Sequence, residues 1–271
     1  MDEGFDYSKG VVSLSLNGCG GERRYIPKMT RREVRQRSGF GCSACGCPII
    51  QYHHIVPYRE TADNSVENLV ALCPNCHEKA DEGGAWSREH VRSLQQNPRL
   101  ERLVHRIDVS TAPFTVKLGN TSWEMTEAAR EANRMLTIGG VVVLRARKDP
   151  SGLARISGAF HDPGGEPFAV IEDNEWKVAV NKVWDVEFVA ARHLTVRLAP
   201  RRITLRMEIT DEFLHLQQCF FRRGDSFVKI TGDADRTVLE AVSLTSAKTT
   251  LRSDSAEESL TFAPGRGIVV V

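Results

Sequence analysis

Apolar positions change their spacing along this chain. Before about residue 108 they are sparse and set among charged residues at helical intervals. PKMTRREVRQR (27–37) reads as a helix: Pro27 suits a first helical turn, and Gly39 follows the last periodic residue. WSREHVRSLQQ (86–96) reads as another, with Ser87 as its N-cap and Pro98 just beyond its end. A third helix is expected over TEAAREANRML, Thr126 to Leu136. Elsewhere after residue 108 the pattern alternates, as in half-buried strands. Leu194, Val196 and Leu198 form one such run; Ile203, Leu205, Met207 and Ile209 form another; Trp184, Val186 and Phe188 form a third. Asp162-Pro163-Gly164-Gly165, Asp173-Asn174 and Arg223-Gly224-Asp225 supply the turns between strands. Short alternating strands separated by turns predict a mainly antiparallel sandwich or barrel-like domain. The expected division is an arm over 1–22 with a short strand VVSLSL (11–16), a first domain over 23–105, and a β-rich domain over 106–271.

A length of 271 residues suits two domains, and 41% hydrophobic residues suffice for real cores and argue against global disorder. No apolar run approaches bilayer length, and the acidic, polar MDEGFDYSKG start is unlike a secretory signal, so a cytoplasmic protein without membrane contact is expected. A formal net charge of +1 excludes an indiscriminate nucleic-acid coat. The basic residues are concentrated instead. Over residues 22–40, Arg23, Arg24, Lys28, Arg31, Arg32, Arg35 and Arg37 face only Glu22 and Glu33. A basic arm and helix suits phosphate contacts. The β-rich half has no such bias.

Five of the seven cysteines fall between residues 42 and 76. Paired C-x-x-C units in a chain of this kind read as a metal site before they read as disulfides. Cys42-x-x-Cys45 and Cys73-x-x-Cys76 offer four thiolates for a closed tetrahedral shell around Zn²⁺, which makes this metal structural. Cys47 is a rival to Cys45, but Cys42-Ser-Ala-Cys45-Gly has the spacing of a zinc knuckle. Cys19 and Cys219 read as plain thiols.

Between the cysteine pairs lie YHHIVPYRE and NSVENLVALCPNCHEKAD. The order Cys-x-x-Cys, His-His-Ile-x-Pro, Asn-Leu-x-x-Leu-Cys-x-x-Cys-His resembles the HNH endonuclease family over roughly residues 22–95. The resemblance implies an α+β protein: a small zinc-stapled ββα-metal domain followed by the β-rich domain. It implies metal-dependent hydrolysis of DNA phosphodiester bonds, with 5′-phosphate and 3′-hydroxyl products. His54 would be the general base, since a histidine near its usual pKa of about 6.5 can take a proton from water. His53 and His77 would hold a divalent cation, which stabilises charge on the phosphate and the leaving oxygen. Asn68 would orient the loop of the β-hairpin and so hold the base.

His53 stands where many members have an acidic ligand. Two imidazoles favour Mn²⁺, Ni²⁺ or Zn²⁺ somewhat over Mg²⁺. Asp81, one helical turn after His77, either adds an oxygen or is a solvated helix residue. Consecutive strand residues point to opposite faces, so convergence of His53 and His54 calls for a kink or bulge.

Arg31, Arg32, Arg35 and Arg59 are the expected nucleic-acid contacts. Trp176, Trp184 and Phe188 read as core. Three roles are open for the β-rich half: partner binding or homo-oligomerisation, sensing a ligand that gates the nuclease, or reading DNA. A different class of function is a catalytically silent, zinc-dependent DNA-binding or assembly module. An RNA-directed nuclease is a third reading.

Overall fold

The computed structural model describes residues 25–81, 83–99, 103–109, 114–119, 121–125, 133–138, 140–232, 237–242, 248–253 and 268–270. The arm over 1–22, with VVSLSL and Cys19, lies outside them.

The first part runs α1 (Lys28–Arg37), β1 (Gln51–His54), α2 (Tyr58–Thr61), β2 (Leu69–Leu72), α3 (Pro74–Ala80) and α4 (Arg88–Gln96). β1 and β2 form an antiparallel pair in which His53 faces Val70 and His54 faces Leu69. Two small cores hold this part together. Val34 of α1 packs with Leu69 and Ala71, while Ile55, Val70, Leu72 and Val91 pack around the zinc-site cysteines. α4 starts where its capping residue predicts, with Ser87 Oγ accepting the His90 N–H at 3.2 Å. Gln95 of α4 donates to the carbonyls of Val66, Glu67 and Leu69, which fixes the entry to β2.

The rest is strand. In chain order come β3 (Leu103–Arg106), β4 (Phe114–Leu118), β5 (Thr121–Met125), β6 (Asn133–Ile138), β7 (Val141–Lys148), β8 (Ala154–His161), β9 (Pro167–Glu172) and β10 (Glu175–Val178). Then follow β11 (Asp185–Val189), β12 (His193–Ala199), β13 (Arg202–Ile209), β14 (Phe213–Arg223), β15 (Ser226–Gly232), β16 (Thr237–Val242), β17 (Lys248–Ser253) and β18 (Ile268–Val270). One sheet has the order β18-β6-β7-β8-β9-β10-β3. It thus takes in Leu103–Arg106, which straddles the boundary expected at 105–106. The other runs β11 to β17 in sequence, with β4 joined parallel to β14 and β5 antiparallel to β4. β9 and β10 turn through Asp173 and Asn174, both at positive φ, which matches the twist of a tight hairpin.

Both sheets contribute to one apolar core. Leu144, Ile156, Phe160 and Trp176 of the first sheet meet Leu194, Leu205, Leu214 and Phe221 of the second. The rings of Phe160 and Phe221 lie 5.3 Å apart, and those of Trp176 and Phe188 lie 5.5 Å apart. The expected antiparallel β-rich half is therefore present as two sheets face to face.

The helix expected over Thr126 to Leu136 is corrected where the chain is described: Asn133 to Leu136 belong to β6. Met135, Leu136 and Ile138 are buried in the shared core, and register shifts in the pairing with β7 let the adjacent Met135 and Leu136 both turn inward. Strand pairing overrides the helix propensity of this segment.

The two parts meet along α1. Phe40, just past its end, is buried with the β-sheet core. Trp184, expected in the core, instead lies half-buried at this junction beneath the Arg32 guanidinium, 3.8 Å from ring to cation.

Candidate active site

The zinc knuckle is built by backbone hydrogen bonds. Cys42 N–H donates to the Cys47 carbonyl at 2.8 Å, and Gly46 N–H returns to the Cys42 carbonyl at 2.8 Å. Gly46 sits at φ +84°, a conformation glycine adopts freely. This turn points Cys42 and Cys45 at Cys73 and Cys76, which flank the start of α3. The four Sγ atoms lie within 4.8 Å of one another. Cys45 and Cys73 are 3.6 Å apart, close to the roughly 3.8 Å edge of a tetrahedron with Zn–S bonds of about 2.3 Å. Cys47 packs against the apolar cluster beside the four.

The thiol chemistry fits a cation. Burial disfavours a charge at Cys73, but the Cys76 N–H and the neighbouring thiols stabilise its thiolate and hold its pKa down. Burial pushes Cys45 up to about 11, with Cys42 and Cys73 beside it adding to the rise. Burial and the adjacent cysteines also raise Cys76. Four thiolates side by side need a positive ion at their centre, and zinc would supply that charge.

A second convergence of ligand atoms lies on the other side of α3. His53, His77 and Asp81 bring their donor atoms within 4.8 Å of one another. The imidazole rings of His53 and His77 stand nearly perpendicular, with centroids 4.8 Å apart. Asp81 Oδ1 is 3.4 Å from His53 Nδ1, and Oδ2 is 3.2 Å from His77 Nδ1. The helix explains the pairing: His77 and Asp81 are four residues apart and share one face. Asp81 thus stands with the two histidines in a group that could hold a metal ion.

His53 is 8% exposed. Burial, with His77 close by, pushes its pKa down to about 4 despite the opposing pull of Asp81. A neutral imidazole is the form that binds metal. A nitrogen–nitrogen–oxygen set of this span fits a divalent cation about 2.1 Å from each donor.

His54 lines the same cleft. It holds about 450 Å³ and is walled by His53, His54, His77 and Asp81, with Arg59 and Tyr58 at its side. Of the kink or bulge expected there, no bulge is present: β1 and β2 keep unbroken register through His54, and the chain bends just after the strand, at Ile55–Val56. The cleft wraps the end of β1 and so collects side chains from both faces.

Asn68 is 5% exposed and clasps that bend. Its Oδ1 accepts the Val56 N–H at 2.8 Å, and its Nδ2 donates to the carbonyls of Val56 and Asp63 at 3.0 and 3.1 Å. Sequence reasoning missed Asn64, whose Oδ1 lies 2.9 Å from His54 Nε2. The Asn64 Nδ2 donates to the Tyr25 carbonyl at 3.2 Å, which leaves Oδ1 to accept from the histidine. No motif spacing marks this residue.

The arginines divide. Arg59 lines the cleft. Arg35, expected on phosphate, is buried and donates to both oxygens of Asp185 and to the Tyr52 hydroxyl. Arg32, also expected on phosphate, donates to the Trp184 carbonyl through Nε and Nη2. Arg35 is corrected: its charge is buried against Asp185. Arg32, half-buried over the Trp184 ring, helps to dock α1 onto the β sheets. Arg31 Nε is shielded from solvent and has no hydrogen-bond partner among the described residues.

Among the described residues, no helix is long and apolar enough to cross a membrane. No solved structure matches the chain. It is 28% identical over 64 residues to Anaredoxin of Nostoc sp. (strain PCC 7120 / SAG 25.82 / UTEX 2576), a span covering 23% of this chain and 84% of that protein. Residues 42–83 match the model of the HNH endonuclease family. This chain therefore carries an HNH endonuclease segment, and its Cys42, Cys45, Cys73 and Cys76 cluster is consistent with the zinc-stapled form of that family.

Proposed function

We propose that this protein is a divalent-cation-dependent endonuclease that hydrolyses phosphodiester bonds in DNA. The observation that carries this reading is the meeting of His53, His77 and Asp81 beside His54 in one cleft. A purely structural zinc module has no use for that second set of donors.

His54 acts as general base. Asn64 Oδ1 accepts a hydrogen bond from Nε2–H, so Nδ1 is the bare nitrogen that takes a proton from water. The water oxygen bonds to phosphorus as the bond to the 3′ oxygen breaks, leaving a 5′-phosphate and, once protonated, a 3′-hydroxyl. His53, His77 and Asp81 would hold the cation, which when bound supplies charge stabilisation at the phosphate and the leaving oxygen. With one carboxylate and two imidazoles the site favours Mn²⁺ or Ni²⁺, and Mg²⁺ to a lesser degree. Arg59 contributes positive charge at the cleft wall. Asn68 holds the bend behind His54. The β-rich half is an accessory part that braces the catalytic hairpin through Arg35.

Supercoiled plasmid incubated with the protein and Mn²⁺, Ni²⁺ or Mg²⁺ tests the reading. Cation-dependent nicking or linearisation is expected, with loss of at least a hundredfold in His54→Ala and in His77→Ala. Equal cutting by His54→Ala removes the assignment of the base. A zinc-loaded wild type that binds DNA but never cuts it, with any of the three cations, favours the silent module. A structured RNA in parallel distinguishes the substrate.

A further inference from the structure

A second chemically distinctive cavity lies in the β-rich half. It is formed on β13, β14 and β15 with the turn at Pro163, and holds about 530 Å³. That volume lies within the usual range for small-ligand pockets, about 300–1,000 Å³. Strand alternation builds it. Along β14 the core takes Cys219 and Phe221, so Phe220 and Arg222 face outward; along β15 it takes Val228 and Ile230, so Phe227 and Lys229 face outward.

Two features coincide there. First, Phe220 and Phe227 lie side by side with ring centroids 5.3 Å apart and planes 38° to each other. Both are only partly buried, so ring surface reaches the cavity. Second, Arg202 and Arg222 line it, and no described lining residue is a carboxylate. Two backbone carbonyls hold Arg222 in place: Nε donates to Gly224 at 2.8 Å and Nη1 donates to Pro163. Neither carbonyl neutralises its charge.

A flat apolar surface beside guanidinium cations is the complement of a nucleotide. Aromatic rings stack bases without regard to sequence, and guanidinium groups match phosphate oxygens. We propose that this cavity binds a nucleotide, its base against Phe220 and Phe227 and its phosphate between Arg202 and Arg222. The nucleotide is either free in solution or one unit of a single DNA strand. The site is distinct from the nuclease cleft and stands whether or not that cleft cuts.

The test uses the whole zinc-loaded chain without added catalytic cation. Binding of a fluorescein-labelled oligothymidylate is followed by anisotropy, and unlabelled thymidine monophosphate is the competitor. The double variant Phe220→Leu with Phe227→Leu keeps the apolar volume and removes the rings; Arg202→Gln removes a charge. Arg92→Gln, on the exposed face of α4, is the charge-loss control outside both clefts. Each cavity variant is expected to weaken binding at least fivefold while Arg92→Gln changes it less than twofold. A 5-bromodeoxyuridine oligomer is expected to cross-link within residues 218–231. Competition by the monophosphate at micromolar to low millimolar concentration identifies a free nucleotide as the ligand, and oligomer binding without competition identifies a strand. The proposal is overturned if neither probe binds, if the leucine variant binds as the wild type does, or if the cross-link maps to residues 52–88.

Discussion

The Arg35 guanidinium lies 2.8 Å from the Asp185 carboxylate, buried between α1 and the start of β11, and through Nη1 also donates to the Tyr52 hydroxyl at 2.6 Å. Tyr52 immediately precedes His53, so Asp185 of the β sheets reaches the histidine-bearing hairpin β1–β2 through Arg35. Burial opposes the Arg35 charge, but Asp185, Tyr52 and Glu187 together more than offset it and the pKa is raised. Asp185→Ala leaves that charge with Glu187 at 3.3 Å as its remaining carboxylate in ion-pair range among the described residues. Removing one partner of a buried pair costs about 3–5 kcal/mol, while replacing both by apolar residues is often near neutral. Denaturant midpoints should therefore fall sharply for Asp185→Ala and recover largely in Arg35→Met with Asp185→Leu. The same logic separates Arg35 from a phosphate contact. Arg35→Met should leave the salt slope of DNA binding unchanged, whereas loss of a true phosphate contact lowers it by roughly one.

Asn68 is the second point where one side chain carries several constraints. Asn68→Ala strips partners from the Val56 N–H and from the carbonyls of Val56 and Asp63. Unsatisfied buried groups cost about 1–3 kcal/mol each. The expected outcome is a loss of about 2–4 kcal/mol in unfolding free energy with zinc retained, since the cysteines are untouched. Plasmid cleavage should drop by more than tenfold even at temperatures where the variant is fully folded. Cleavage at the wild-type rate would show that the bend at Ile55–Val56 does not control His54.

Zinc has its own signature. Cys73→Ser removes the thiolate that its neighbours stabilise, and should abolish stoichiometric zinc and the folded signal of residues 25–99. Cys47→Ser should keep one zinc per chain. Metal analysis beside a thermal melt of each variant checks both. Zinc loss in Cys47→Ser would mean that the knuckle is built from the other cysteine.

What the sequence disclosed follows how local each constraint is. The cysteine spacing, the paired histidines and Asn68 lie within one short span, and metal chemistry restricts them to few arrangements, so their grouping was legible. Ser87 was legible as a cap because capping is a three-residue affair. The destination of Arg35 was not: its partner lies 150 residues away, and a basic helix looks the same whether it faces phosphate or a buried aspartate. Asn64 escaped because a turn asparagine carries no periodic signal. Residues 133–136 look helical by propensity, and only pairing with β7 makes them strand. The β sheets were legible as alternation, but which face would gather Phe220, Phe227 and Arg222 depends on register, which no single strand reveals.

Three histidines of the β-rich half make its stability depend on pH. His105 is packed between Trp176 and Phe188, His161 Nδ1 accepts the Arg222 N–H, and His215 Nε2 contacts the Gly119 carbonyl. Burial is the largest cause that lowers the pKa of each. The sign follows from proton counting. Above about pH 6.5, the usual histidine value, neither the folded nor the unfolded chain protonates these rings and they add no pH dependence. Below it the unfolded chain binds protons that the folded chain refuses, so stability falls as pH drops toward the folded values. Melting temperatures should be level from pH 8 to 7 and decline from 6.5 to 5.5. His215→Gln keeps a donor for the Gly119 carbonyl but cannot protonate, so it should flatten the decline. An unchanged slope in His215→Gln would mean that this ring is as easily protonated in the sheet as in the unfolded chain.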